Sequence, residues 1–170
     1  MNIKSIDVKY HNWDTDLFRN GSRLWGLVKV IEVTTPVVVK LDGYVNIRHK
    51  GTVGGVVGIS SRVGYRYGAT PDYFNTLPAG TSPGSWNTPD FKWIPGAKDG
   101  KNILDITHHY ETLNLDACFK LSEPGAYRIE PYLFEMSALN PNIDGITCVN
   151  IDTNQTPNDT FGFLSITVIE

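Results

Sequence analysis

Good helix formers are scarce in this 170-residue chain, where Ala, Glu, Gln and Met together supply only 15 residues. That shortage excludes a helical bundle, a coiled coil and a repeated βαβ fold. Cysteine occurs twice and never as Cys-x-x-Cys, so zinc ribbons and dithiol redox chemistry have no support. No apolar run approaches the roughly 20 residues that a bilayer-spanning helix requires, and a membrane partner is not expected. The opening Met1-Asn2-Ile3-Lys4-Ser5-Ile6-Asp7 has no apolar segment of the kind that marks a secretory signal. The expectation is synthesis in the cytoplasm, with the chain either staying there or leaving in an assembled particle. Charged residues are only 19%, and the 15 Lys and Arg stand singly against 18 Asp and Glu, which argues against a nucleic-acid partner.

What the chain has in abundance is β-favouring side chains. Val, Ile and Thr number 14, 14 and 15, and 19 further residues are aromatic. Such side chains suit a pleated, half-buried surface and lose rotamer freedom in a helix, so an almost entirely β protein is expected. From Val37 to Arg48 one face reads Val37, Val39, Leu41, Gly43, Val45, Ile47. From Val53 to Tyr67 the same period of two returns, and residues 49–52 would close the pair as a hairpin. Gly54, Gly58 and Gly64 on the outer face of the second strand suggest a bend or the close approach of another backbone.

Further strands are expected around Ile6, Val8 and Tyr10, over 24–33 (apolar on both faces), 103–110, 113–121, 127–137, 146–151 and 161–169. Glu123-Pro124-Gly125-Ala126 fits a tight turn. Pro131 cannot donate to a ladder, which predicts an edge strand or a bulge at that point. About nine strands in one domain of 170 residues point to an antiparallel two-sheet β-sandwich, jelly-roll-like rather than immunoglobulin-like, because the two Cys do not bracket a Trp.

Residues 68–101 differ from the rest. Ten of these 34 positions are Gly or Pro, against 16 of the other 136, and no apolar period survives. A long insertion loop is predicted there, and loops of that length inside a compact domain tend to be functional. It carries Tyr73, Phe74, Trp86, Phe91 and Trp93, with Asn87 and Asp90 beside them. These seven are the candidate ligand- or partner-binding residues, with loops 49–52 and 140–145 as neighbours.

Catalytic and metal signatures fail on inspection. Gly80-Thr81-Ser82-Pro83-Gly84 has the spacing of a nucleophile elbow, but Pro83 lacks the N–H that an oxyanion hole needs there. His108 and His109, adjacent in an expected strand, point to opposite faces; a metal site would need one of them joined by Asp105, His11 or His49 through the fold. Asn140-Pro141-Asn142-Ile143-Asp144-Gly145 opens like a calcium loop, yet its twelfth position is Ile151 and no helices flank it; Asp14 and Asp16 are a second weak place for calcium. Gly96 to Asn102 is one residue short of a phosphate loop. The sequons at Asn20, Asn154 and Asn158 matter only in a secretory pathway. Cys118 and Cys148 are expected to be free thiols. No catalytic residue, metal or cofactor is assigned, although the 12 Asp and 6 Glu leave a glycosidase pair open.

The resulting expectation is a non-enzymatic structural protein. The favoured form is a homo-oligomer, trimer before other numbers, serving as a decoration, fibre or spike component on a virus or phage particle and touching other particle proteins. The alternative is a carbohydrate-binding module or lectin whose loop aromatics stack on glycans.

Overall fold

The computed structural model describes residues 1–12, 21–49, 56–77, 86–104, 110–138, 146–148 and 162–170. Eleven strands are formed among them: β1 (Ile3–His11), β2 (Ser22–Arg23), β3 (Lys29–Val33), β4 (Val37–His49), β5 (Val56–Gly68), β6 (Phe91–Leu104), β7 (Tyr110–Asn114), β8 (Ala117–Leu121), β9 (Gly125–Ala138), β10 (Ile146–Cys148) and β11 (Gly162–Ile169). Two short 3-10 turns, Trp25–Leu27 and Pro71–Thr76, complete the set.

All pairings are antiparallel and nested. β1 pairs with β11, β2 and β3 with β9, β4 with β7 and β8, and β5 with β6. Lateral contacts β11·β4 and β9·β5 then complete two sheets, β1-β11-β4-(β8, β7) and (β2, β3)-β9-β5-β6, with β10 extending the β11 side of β4. Nested pairs folded across two sheets are the wrapping of a jelly roll. The fold class expected from composition is therefore what forms. Between the sheets lies one core, with Leu41 and Ile47 of β4, Leu164 and Ile166 of β11, and Leu113 facing Ile59, Val63, Ile129 and Leu133.

Several local expectations are corrected. β4 and β5, the most regular segments, do not form a hairpin: they belong to different sheets and face each other across the core. Alternation shows that a strand has a buried face but not which strand lies beside it. Residues 24–33 are not one strand, because a turn at Trp25–Leu27 rotates both Leu24 and Leu27 into the core before β3 begins. The 113–121 strand breaks at Leu115-Asp116, where the Asp116 carboxylate accepts the Gly43 N–H at 2.9 Å. Pro131 is in a central strand rather than at an edge. Its neighbour β2–β3 turns away there, and its carbonyl accepts the Leu24 N–H at 2.9 Å, so the missing donor costs no ladder bond.

The largest correction concerns 68–101. Residues 91–101 are not loop but the first part of β6, the edge strand alongside β5. Pro95 and Gly96, the latter with φ of 80°, sit where the β5–β6 register slips between Arg62 and Gly64, an edge irregularity that tolerates both residues. Residues 78–85, and the proposed neighbouring loops 50–52 and 140–145, lie outside the described residues.

Candidate functional site

The outer face of the second sheet is unusual. On β9 the outward side chains run Arg128, Glu130, Tyr132, Phe134, and beside them β5 contributes Arg66 and Arg62 and β2 contributes Arg23. Glu130 is fully buried, yet its carboxylate receives Arg23 Nε at 2.8 Å, Arg66 Nε at 3.1 Å and Arg128 Nη2 at 3.0 Å. Trp25 lies under the Arg23 guanidinium (4.4 Å to the ring centre), Phe91 under Arg66 (5.2 Å) and Phe74 under Arg128 (5.4 Å). A low-dielectric aromatic surround strengthens each of these attractions, and it also makes any lost partner expensive. Burial pulls the Arg128 guanidinium below its usual range despite Glu130, and Arg128 Nε finds no partner among the described residues. For Arg66 burial acts the same way but is outweighed by Glu130 and Asp90, so its guanidinium is raised.

Asp90 is the second acid of this cluster. Arg66 Nη1 donates to it at 2.9 Å, Tyr73 Oη at 2.7 Å, and the Thr88 hydroxyl donates as well. Partial burial would raise its carboxyl, but those hydrogen bonds and the Arg66 charge together hold it below the usual carboxylate range. Tyr73 is raised in turn, first by the hydrogen bond it gives Asp90.

Next to the arginines, Phe91, Trp93, Tyr132, Phe134 and Trp86 form a small aromatic core outside the main one. Edge-to-face contacts join Phe91 to Trp93 (4.8 Å), Trp93 to Tyr132 (5.5 Å) and Trp93 to Phe134 (5.6 Å). Gly64 makes this possible, since a Cβ there would stand 2.2 Å from the Phe91 ring. The close approach anticipated at that glycine is thus chiefly by a side chain, although the Lys92 carbonyl also lies near.

All seven candidate residues therefore fall on one side of the molecule, and six of them contribute to these clusters. Phe74 and Phe91 are buried; Tyr73, Trp86, Asp90 and Trp93 are half-buried; Asn87 is exposed at the margin. What the sequence reading missed is the Arg23–Arg66–Arg128–Glu130 constellation that they cover. Its one visible trace is the alternation of Arg128, Glu130, Tyr132 and Phe134 against Ile129 and Leu133 in β9.

Two cavities open near these clusters. One, about 390 Å³, lies between Tyr65, Tyr127, Asp90, Lys92 and Lys120. Burial, then the neighbouring Tyr65 and Tyr67, pushes Tyr127 up to about 12. The other, about 630 Å³, lies on the outer face over Ser60, Arg62, Lys98, Asp99, Gly100 and Phe134. Among the metal candidates, His11 is buried, with Nδ1 accepting the Gly26 N–H at 3.1 Å. Asp105, His108, His109, Asp14 and Asp16 lie outside the described residues, within which no three His, Cys, Asp or Glu side chains gather. Cys118 is an exposed free thiol.

The first sheet presents the opposite kind of surface. The alternation of β1 turns Ile6, Val8 and Tyr10 outward, leaving them 60%, 43% and 51% exposed. Register places Tyr10 beside Phe163 and Phe163 beside Tyr44, with ring centres 5.7 and 5.9 Å apart. This side carries two in-chain ion pairs, Lys4 with Glu170 (3.8 Å) and Lys40 with Asp42 (3.5 Å), and Lys120 beside Val38. Among the described residues β1 pairs only with β11, so it forms the edge of the sheet.

No protein-family model matches this chain, and no curated protein matches its sequence. Solved structures of infectious bursal disease virus are similar to it in shape. The T13 viral particle is 8% identical with a TM-score of 0.46, covering 97% of this chain and 31% of the viral one. The VP2 subviral particle gives 8%, 0.46, 97% and 32%. The Gt strain structure gives 9%, 0.44, 96% and 31%. This chain thus spans about a third of the length of those proteins.

Proposed function

We propose that this chain is a non-enzymatic structural protein that self-associates through the outer face of its first sheet, as a component of a virion or similar particle. The observation that carries this reading is the exposed apolar row of β1, continued by Phe163 and Tyr44, on a sheet whose edge strand among the described residues is β1. A bare apolar strip joined to a free edge is a surface that natural proteins cover. The occupant is another copy of the chain: the apolar row of one copy can cover that of the next, and Lys4 and Lys40 on this face are already paired within each subunit. The finer form of the proposal is a homotrimer at the particle surface, made in the cytoplasm and touching other particle proteins. Light scattering over a concentration series tests it. An assembled species with the mass of three chains is expected, and a monomer at every concentration removes the reading.

A further inference from the structure

The outer-face cavity over β5, β6 and β9 is built on two adjacent rungs of three strands. In one rung Phe134, Ser60 and Gly100 stand side by side, and in the next Tyr132, Arg62 and Lys98. Arg62 and Lys98 are therefore like charges directly opposite each other, an arrangement that destabilises a strand pair unless something negative lies between. Within the described residues neither cation meets a carboxylate. Asp99, the acid in the lining, is occupied by backbone: its Oδ1 accepts the Gly100 N–H at 2.7 Å and its Oδ2 the Asn114 N–H at 2.9 Å. The Arg62 guanidinium is pinned 4.2 Å over the Trp93 ring, which fixes it without neutralising it. Ser60 Oγ is buried and has no hydrogen-bond partner among the described residues. Gly100 beside it adds no side chain to the lining, and the largely buried Phe134 completes it. Two unpaired cations, an orphan hydroxyl and a flat ring line a volume of about 630 Å³, a size that holds a small ring-bearing ligand.

We infer that this cavity binds a carboxylated pyranose, with Arg62 and Lys98 on the carboxylate, Ser60 Oγ on a ring hydroxyl, and the small exposed part of Phe134 beside the sugar. This site stands apart from the self-association surface, which is on the opposite sheet, so either can fail without the other.

The test is isothermal titration of the full chain, in whatever assembly it forms, with glucuronic acid, glucose and sodium sulfate. Saturable binding of glucuronic acid is expected, at least about tenfold tighter than glucose, as the loss of a charge-assisted bidentate contact implies. Arg62→Gln and Lys98→Gln should each weaken it by about tenfold and Ser60→Ala by a few-fold, while Lys120→Gln, in the other cavity, leaves it unchanged. Lys98 is exposed on an edge strand, so its variant keeps the test valid if Arg62→Gln fails to fold. No saturable binding of glucuronic acid overturns the inference. So does equal affinity for glucose, affinity for sulfate as high as for glucuronic acid, or undiminished binding by Lys98→Gln.

Discussion

The outer face of the second sheet buries Arg23, Arg66, Arg128 and Glu130 beneath aromatic rings, whereas β1 and β4 of the first sheet leave Ile6, Val8, Tyr10 and Tyr44 in water. Both depart from the ordinary alternation of a sandwich, in which outward side chains are polar and solvated. The difference lies in what covers them. The second sheet is roofed by its own chain, the Pro71–Thr76 turn and the Trp86 to Asp90 segment, which bring Phe74, Trp86, Thr88 and Asp90 onto it. The first has no such roof among the described residues, and the proposed self-association would cover it.

If the second face is an internally completed core, damage there should cost folding. Glu130→Gln, which removes the one buried charge that three guanidinium groups share, is expected to lower the unfolding free energy by about 3–5 kcal/mol in denaturant titration. Gly64→Ala should follow at about 1–3 kcal/mol, because the new methyl collides with the Phe91 ring and the Lys92 carbonyl.

A smaller effect should appear with pH. The Asp90 carboxyl is held lower in the fold than in the unfolded chain, so the stability it contributes is complete above its ordinary value near about 4 and fades as pH falls through the depressed one. Thermal melts of Asp90→Asn should accordingly show a shallower loss of stability below about pH 4 than the parent.

On the first face the expectation reverses. Val8→Asp and Tyr10→Asp should each cost the isolated subunit no more than about 1 kcal/mol, since both side chains are already about half exposed.

The strands and the sandwich were legible in the sequence and this contrast between the faces was not, for physical reasons. Strand periodicity located β4, β5 and β11 and the composition named the sandwich, because burial of one face imposes a period of two wherever a strand lies. Partnership was not legible: Val45 stands between Leu113 of β7 and Gly162 of β11, neighbours that no local pattern records. The Gly and Pro residues of 91–101 resembled a loop because an edge strand tolerates them at a register slip. The aromatics of that region were singled out as candidate contact residues, but the arginines they cover come from positions 23, 66 and 128. Only the tertiary structure brings those three to Glu130.

The central claim is that the first sheet's outer face is a subunit interface, and sedimentation velocity of the parent beside the Val8→Asp, Tyr10→Asp double variant tests it most directly. The account predicts an assembled parent and a folded, monomeric variant that still melts cooperatively, at a lower temperature by what assembly contributes. A parent that sediments as a monomer, or a variant that assembles as well as the parent, would contradict it.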